Sequence, residues 1–453
     1  MLVLQSRTKR ICVIVVLTAV VLTYVAHSNG LYSKPLRRWT GLSRTQSQCT
    51  SLWSPSSRRE PAPRFRDYLR NDTSYITGWS GAGFTNQFMD YVNMIYLGII
   101  SDRVPIIPPF APGPHISLSA GIIPFGDIFD LEGLRNELRS EILEWRDAKI
   151  LPNPQSDDQF STSEIEHVGC WTTVPESSKG AKWSDNVVRH LGLDASYTRV
   201  PTFTRPSPQD PNEYHVILPQ LAALIYPRGP IARPESFELL EASRMGKRLK
   251  PDSYLSCFDS LYYSTSGARH FEWNFSWSPV WRTVGRHLQF TERMKTLGQS
   301  YLSRIFGVPA AKVPPFIIIH VRRGDFSGKC SKNGQKDCFP SLVAYEKHVQ
   351  DIRGKLAEKS GLVVDNVVVI SDEKSDAFWN TVRAKGWLFV NHTEEHTLER
   401  YGEWYPPLID IVMQSFAVGF VGTKDSTFSL VGERRVQDWN GGLVADVNVR
   451  DGA

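Results

Sequence analysis

The sequence has no lysine-rich or arginine-rich block, and its formal net charge of +5 is small for 453 residues. Proteins that bind nucleic acid through its phosphates usually carry such blocks or a strongly basic domain. The sequence also lacks internal repeats, and it has no low-complexity tract beyond a polar segment at about residues 30–71. These absences argue against a nucleic-acid partner and against a repeat architecture.

The composition is that of a globular protein with more than one domain. Hydrophobic residues make up 41% of the chain and charged residues 22%, which is close to the average of soluble domains. Because a single core rarely grows beyond roughly 250–300 residues, this length predicts two or three domain-sized units.

Cysteine is scarce, with six residues in the chain. Cys330 and Cys338 flank the polar loop SKNGQKD, and we predict a disulfide between them in an oxidising compartment. Cys49, Cys170 and Cys257 then leave an odd number beyond the N-terminal apolar run. Their pairing stays open, and at least one of them is expected to be free or bonded to another chain.

An apolar run without charges, ICVIVVLTAVVLTYVA, spans residues 11–26 and follows Arg7, Lys9 and Arg10. Positive charges before such a run place the N-terminus in the cytoplasm. The run is short for a spanning helix of about 17–25 residues, so a cleaved signal peptide is the alternative. The residues before His27 form a poor cleavage site, which favours a type II signal anchor over residues 11–29.

Three glycosylation sequons begin at Asn71, Asn274 and Asn391, and such sequons are modified only in the secretory pathway. Together with the apolar run they predict a single-pass type II protein of the Golgi or endoplasmic reticulum membrane. Residues 1–10 would be cytoplasmic and residues 30–74 an exposed stem, with the rest of the chain in the lumen.

After the stem, helical and strand patterns alternate. A glycine-rich turn at Ser80 precedes a helix-length stretch and a strand at Val104–Ile107, but residues 110–280 show only short helical patches. From residue 316 the alternation is regular, with strands predicted at the run from Phe316 and at 363–370, 387–390 and 418–421, and with helices between them. This pattern predicts an α/β fold with a doubly wound, parallel sheet.

Polar residues follow three of these strands. In FIIIHVRRGDF (316–326) the alternation of strand side chains places His320 and Arg322 on one face. Arg323 would lie on the other face and pair with Asp325. Burying an unpaired guanidinium costs several kcal/mol, so both arginines are expected at the strand's exit beside an anion or a carboxylate.

At the carboxyl end of the second strand, Asp372 follows VVVI. After the third strand, Ser426 and Thr427 begin the last predicted helix. Ligands bind at the carboxyl ends of parallel strands, and a helix N-terminus binds anions. Each feature alone has an ordinary structural explanation as an ion pair, a turn or a helix cap. Their occurrence in one sheet favours a site for a nucleotide diphosphate.

Four stretches, GAGFTNQF, HVRRGD, a strand ending in SDE, and FVGTKDSTFS, occur in the order found in the fucosyltransferase superfamily that uses GDP-fucose. The chain resembles the protein O-fucosyltransferases and their α1,6- and α1,2-linking relatives, particularly the fungal O-fucosyltransferase-like proteins. The resemblance covers about residues 75–110 and 280–439. It implies a GT-B fold of two Rossmann-like halves, residues 75–305 on the acceptor side and residues 306–453 binding GDP-fucose.

The resemblance also assigns roles to the matching residues. Arg322 would bind the β-phosphate and stabilise the leaving group, and Asn86 would lie beside the sugar at the reaction centre. His320 and Asp372 would contact the guanosine. The remaining expected donor-binding residues are Ser426, Thr427, Phe428, Gly83 and Phe84.

We expect the reaction to invert C1 of fucose and to need neither a metal ion nor a cofactor. A guanidinium and helix N–H groups stabilise the negative charge that grows on GDP as the bond from C1 breaks, and the sequence has no convincing Asp-x-Asp.

The chain departs from its relatives in the general base. Ala82 stands where some carry a glutamate, and Phe326 and Cys330 stand where the α1,6-linking enzymes carry a lysine and a glutamate. Asp325 is the candidate base, and a mechanism with little base assistance is equally open.

Two rival hypotheses accompany this interpretation. The missing base suits a catalytically inert relative that binds glycans or acts as a scaffold. A glycosyltransferase with another nucleotide sugar would share the same phosphate-binding features. The acceptor, a hydroxyl of a protein or a glycan, is not specified by the sequence.

Overall fold

The computed structural model describes residues 59–152, 160–181, 185–227, 237–327 and 339–448. Among these residues, none of the helices combines the length and the hydrophobicity of a membrane span. The predicted anchor at residues 11–29 lies outside the described residues, as do Cys330 and Cys338 with their predicted disulfide.

The first part of the chain forms a six-stranded sheet with the order β3-β2-β1-β7-β4-β5, in which all neighbours are parallel. Its strands are β1 (Tyr75–Gly78), β2 (Val104–Ile107), β3 (Leu143–Glu144), β4 (Glu166–Thr172), β5 (Leu193–Arg199) and β7 (Leu255–Phe258). A separate two-stranded sheet pairs β6 (Val216–Ile217) with β8 (Ser264–Thr265).

The helices of this part are α1 (Phe65–Tyr68), α2 (Phe84–Ile100), α3 (Phe125–Ile128), α4 (Leu131–Leu138), α5 (Trp145–Ala148), α6 (Asp185–His190), α7 (Leu218–Ile225) and α8 (Pro279–Thr283). The helix and strand predicted after the glycine-rich turn are found as α2 and β2. Phe65 and Tyr68, in the predicted stem, are buried, and Phe65 packs on Trp145 with 5.5 Å between ring centroids. Packing of the chain therefore already begins at α1.

A five-stranded parallel sheet, with the order β11-β10-β9-β12-β13, forms the second part. Its strands are β9 (Phe316–Val321), β10 (Asn366–Ser371), β11 (Leu388–Phe389), β12 (Gly419–Thr423) and β13 (Leu443–Val447). The helices are α9 (Glu292–Phe306), α10 (Leu342–Ser360), α11 (Asp376–Ala384), α12 (Thr397–Tyr401), α13 (Tyr405–Gln414) and α14 (Thr427–Asn440).

The central strand β9 shows why this sheet is covered on both faces. All six of its residues are buried. Ile317 and Ile319 pack in one core cluster with residues of α10, whereas Phe316 and Ile318 pack in another with residues of α9 and α13. Since successive strand side chains point to opposite faces, a continuous apolar run requires helices on both sides. The predicted α/β fold with parallel sheets is confirmed.

Two of the cysteines with open pairing are joined. Cys170 on β4 and Cys257 on β7 form a buried disulfide. Among the sequons, Asn71 and Asn274 are exposed, whereas Asn391 is partly buried. The side-chain oxygen of Asn391 accepts the backbone N–H of Thr393 at 3.2 Å.

Candidate active site

The candidate site lies where the carboxyl ends of β9, β10 and β12 face the segments that follow β1 and β2. The two parts of the chain touch there through predicted site residues. Thr427, the first residue of α14, donates a hydrogen bond from Oγ1 to Oδ1 of Asn86 in the first turn of α2, at 2.7 Å. The fold therefore brings the glycine-rich stretch and the start of the last helix to one cleft.

Arg322 lies at the centre of a charged cluster in this cleft. Its Nη1 is 2.7 Å from Oδ2 of Asp372, and its Nη2 is 2.8 Å from Oδ1 of Asp325. The same Nη2 donates to Nε2 of His115 at 3.0 Å. Because Arg322 follows the last residue of β9, the buried strand fixes its backbone while the guanidinium stays in the polar cleft, with its side chain 17% exposed. Predicted residues Arg322, Asp325 and Asp372 are thus in direct contact.

The predicted pairing of Arg323 with Asp325 is wrong, because Asp325 pairs with Arg322 instead. The Arg323 guanidinium lies on the opposite face, as strand alternation requires. It sits between the rings of Phe339 and Phe378, 5.0 and 5.1 Å from their centroids, and its Nε is 3.7 Å from Glu373. Arg323 is therefore part of the packing between β9 and α11, away from the cluster around Arg322.

Asp372 binds Arg322 and also fixes the turn after β9. Its Oδ1 accepts the backbone N–H of Arg323 at 2.7 Å. A Cβ at Gly324 would collide with Oδ2 of Asp372, so the carboxylate needs a glycine at this position. Both carboxylate oxygens are engaged in these contacts, and the predicted contact of Asp372 with guanosine stays a prediction.

His320 is buried and faces the start of α14. Its Nδ1 lies 2.7 Å from Oγ of Ser429, and its ring centroid is 4.6 Å from that of Phe428. Burial, with a smaller contribution from the charge of Arg322, lowers the pKa of His320 to about 3. The imidazole is therefore neutral at physiological pH, and the predicted contact of His320 with guanosine stays a prediction.

The start of α14 is a capped helix terminus. The Ser426 side chain accepts the backbone N–H of Ser429 at 3.4 Å, so Ser426 has the ordinary N-cap role that the sequence left open. Thr423, which was not predicted, connects this terminus to β9. Its Oγ1 accepts the backbone N–H of Arg322 at 2.8 Å and donates to the carbonyl of His320 at 3.0 Å.

Gly83 and Phe84 begin α2 on the other side of the cleft. Gly83 is the N-cap residue, and a Cβ there would lie 3.5 Å from Cδ2 of His115. The Phe84 ring contacts Phe110 at 4.5 Å and Trp404 at 6.4 Å between centroids. Phe84 thus helps to pack the two parts of the chain together, and its contact with the donor stays a prediction.

Sequence reasoning missed His115 because it falls in the unassigned region after residue 110. One feature could have indicated it. The predicted strand β2 is followed by the loop PPFAPGPHIS, and polar residues after the carboxyl end of a parallel strand are candidates for ligand contacts.

Outside the cleft, one group of described side chains has the composition of a metal site, namely Glu213, His215 and His270. One nitrogen of each imidazole lies 3.1 Å from a carboxylate oxygen of Glu213. The two rings are stacked with an interplanar angle of 7° and 4.2 Å between centroids. Lone pairs lie in the ring planes, so in this arrangement they do not converge on one ion. The stack fits two imidazoles bridged by a carboxylate.

Comparison with solved structures shows the same fold in POFUT1. POFUT1 in complex with GDP-fucose matches with a TM-score of 0.51 and 13% identity, covering 84% of this chain and 99% of that chain. The POFUT1 apo-form gives 0.50 and 14%, covering 83% and 98%. NodZ from Bradyrhizobium gives 0.39 and 11%, covering 80% and 92%. No curated protein matches the chain.

The family comparison covers both sheets and the cleft between them. The sequence matches the GDP-fucose protein O-fucosyltransferase family over residues 75–437, a range that includes Asn86, Arg322 and Thr427. The chain therefore belongs to the GDP-fucose protein O-fucosyltransferase family.

Proposed function

We propose that this chain transfers fucose from GDP-fucose to a hydroxyl of a protein or glycan acceptor, inverting C1 and using no metal ion. Family membership makes it a GDP-fucose-dependent fucosyltransferase. The acceptor class, the inversion and the metal independence are proposals that rest on the cleft.

The observation that carries the proposal is the position of Arg322. Its guanidinium is pre-placed by Asp325 and Asp372 at the exit of a buried strand. The N-terminus of α14, a helix of 14 residues, lies beside it. Thr423 connects the two, because it bonds the backbone N–H of Arg322 and the side chain of Ser429 in α14. A guanidinium binds phosphate oxygens with two parallel hydrogen bonds, and helix N–H groups add a second positive end.

This arrangement stabilises the transition state more than the bound substrate. As the bond from C1 of fucose to the β-phosphate oxygen breaks, negative charge grows on the diphosphate. Donors that are fixed in advance need no reorganisation at that moment. Positive charge from Arg322 and α14 can do what a divalent cation does in other glycosyltransferases, which supports a reaction without a metal.

We also propose that the protein is anchored in a secretory membrane through residues 11–29, with residues 30–58 as the part of the stem that precedes the described residues. The disulfide between Cys170 and Cys257 supports a luminal location, since such bonds form and persist in oxidising compartments. Exposed Asn71 and Asn274 are accessible for glycosylation.

The proposal is tested on the full chain, purified in detergent because of its N-terminal apolar run. We expect GDP, but neither UDP nor ADP, to raise the melting temperature, because only a ligand of the native state stabilises it. We also expect slow release of fucose from GDP-fucose. Arg322→Ala should lose both responses.

Arg304→Ala is the matched control, because Arg304 forms an ion pair with Glu395 at 2.8 Å that includes none of the site residues. It should behave as wild type. Stabilisation by UDP or ADP without GDP would point to another nucleotide sugar. Absence of turnover with intact GDP binding would point to an inert relative.

A further inference from the structure

His115 lies in the cleft on a loop that both parts of the chain hold in place. On one side, Gln87 of α2 bonds the carbonyls of Ala82 and Ala111 at 2.6 and 2.8 Å. On the other side, Glu403 accepts the backbone N–H of Ser117 at 2.7 Å. The loop therefore presents His115 in a fixed place although its side chain is 48% exposed.

The loop also lies against the glycine-rich stretch. A Cβ at Gly113 would be 2.5 Å from the carbonyl oxygen of Ala82, and one at Gly83 would approach the His115 ring. These close approaches place the imidazole beside Gly83, the N-cap residue of α2. Ala82 itself offers no group that could accept a proton.

The contact with Arg322 fixes the state of the imidazole. A guanidinium only donates hydrogen bonds, so the Nε2 atom that lies 3.0 Å from Nη2 of Arg322 must be the acceptor. His115 is therefore neutral in this arrangement, with its proton on Nδ1. The lone pair of Nε2 that accepts this bond points into the cleft at the arginine that is proposed to bind the diphosphate.

We propose that His115 is the general base that takes the proton of the acceptor hydroxyl, an inference that rests on the proposed fucosyl transfer. When the diphosphate binds Arg322, Nε2 is released from the guanidinium. The acceptor oxygen then forms its bond to C1 of fucose, and the bond from C1 to the β-phosphate oxygen breaks with its electron pair left on GDP. The hydroxyl proton moves to Nε2 of His115.

The charged groups that face His115 suit this role. Before the reaction, Nη2 of Arg322 donates a hydrogen bond to Nε2 of His115. Asp325, whose Oδ2 lies 3.8 Å from Nε2, favours the imidazolium that forms. The carboxylate of Glu403 binds the loop at Ser117, two residues after His115. Asp325, the base expected from the sequence, forms an ion pair with Arg322, with its Oδ1 2.8 Å from Nη2.

The test uses hydrolysis of GDP-fucose by the full chain, in which water takes the place of the acceptor. General-base catalysis is worth about 10²–10⁴ in rate, so His115→Ala should hydrolyse GDP-fucose about 100-fold more slowly than wild type or slower still. Added imidazole should restore part of this rate.

Three comparisons decide the outcome. His115→Asn can still accept a hydrogen bond from Arg322 but cannot act as a base, so activity near wild type in that variant would reduce His115 to a positioning residue and overturn the proposal. So would a rate of His115→Ala within threefold of wild type, or one that imidazole does not raise. His167→Ala, which removes an imidazole paired with Asp194, should keep the wild-type rate and ignore imidazole.

The two proposals fail in different ways. If wild type is neither stabilised by GDP nor able to release fucose, the proposed function fails and this inference falls with it. If wild type does both and the His115 variants match it, the role of His115 alone is wrong. Stabilisation of His115→Ala by GDP should equal that of wild type, which shows that the cleft has folded.

Discussion

Asn86 and Thr427, 341 residues apart in the sequence, are joined by one hydrogen bond of 2.7 Å across the cleft. Each lies in the first turn of a helix, Asn86 in α2 and Thr427 in α14. A GDP-fucose molecule bound at the start of α14 would therefore also contact the start of α2. The bond fixes the distance between the two helix starts, and this distance sets the width of the proposed donor site.

A double-mutant cycle on this pair should show direct coupling. Thr427→Val and Asn86→Ala should each lower the free energy of unfolding by about 0.5–1.5 kcal/mol, the usual net value of a hydrogen bond. The double variant should lose less than the sum, because the second change removes a bond that is already absent. Urea unfolding measures this. Asn440→Ala, which removes bonds to Ser415 and Ala417, should be additive with Thr427→Val. If Asn86→Ala were also additive with Thr427→Val, that result would contradict the hydrogen bond between Thr427 and Asn86.

The two arginines after β9 should respond differently to lysine. Arg322→Lys keeps the charge but loses the planar guanidinium, whose two terminal nitrogens bind two partners at once. Release of fucose from GDP-fucose should therefore fall about 100–1000-fold. Arg323→Lys should keep activity within threefold. It should lower stability by about 1–2 kcal/mol, because the guanidinium loses its place between Phe339 and Phe378. Turnover and melting temperature, measured on both variants, check this, and the reverse pattern would contradict the placement.

Gly324→Ala should disturb activity through Asp372. The added methyl collides with the carboxylate that holds Arg322 and the turn after β9. We expect turnover to fall at least tenfold, with a smaller rise in melting temperature on adding GDP, because Arg322 loses one of its two carboxylate partners. Gly354→Ala is the matched control, since nothing lies within 4 Å of a Cβ at that glycine. Normal turnover in Gly324→Ala would show that Asp372 can move without consequence.

Stability should fall in mild acid because of His320. Burial lowers the pKa of His320 to about 3 in the native state, whereas an unfolded histidine titrates at about 6.5. Between these values the unfolded state binds more protons, so the free energy of unfolding decreases as pH falls, by up to about 1.4 kcal/mol per pH unit. His320→Asn should therefore be more destabilising at pH 7 than at pH 5. Urea unfolding at both pH values checks this, and an equal loss at both would contradict it.

The strands β9, β10 and β12 of the second sheet could be predicted from the sequence because they are almost entirely buried, whereas the partly exposed β13 was not predicted. A strand such as β9 then appears as an unbroken apolar run, and the turn and cap residues after it mark its end. The first sheet could not be assigned in the same way. Its strands β4 and β5 contain Glu166, Asp194 and Arg199, which are buried with partners that only the fold supplies, such as Lys149 for Glu166. Periodicity of apolar residues does not reveal such strands.

The same reasoning separates the parts of the site. Local pattern placed Arg322 and Arg323 on opposite faces of β9, because side-chain alternation is a property of the strand itself. It could not identify the partner of either arginine. His115 reaches Arg322 from 207 residues away, and Asp372 accepts the N–H of Arg323 from 49 residues away. Partners across a cleft depend on tertiary structure, which a single sequence does not show.

Arg435 of α14 is an unusual buried charge between the two parts of the chain. It is 2% exposed, and its Nε and Nη2 find no hydrogen-bond partner among the described residues. Its guanidinium lies 4.9 Å from the ring centroid of Phe88 and 4.7 Å from that of Phe290. Burial lowers its pKa to about 9, so the ring faces offset the desolvation of the charge only in part.

Replacing this charge with an apolar side chain of similar length should therefore not weaken the fold. We expect Arg435→Met to raise the free energy of unfolding by about 1–4 kcal/mol, as exchange of buried charges for apolar groups often does, because methionine sulfur also packs well on aromatic rings. Arg435→Ala should lower it by about 2–5 kcal/mol through the cavity it leaves. Arg304→Met at an exposed site should change it by less than about 0.5 kcal/mol. Urea unfolding measures all three, and a large loss in Arg435→Met would mean that the guanidinium itself holds α14 against α2.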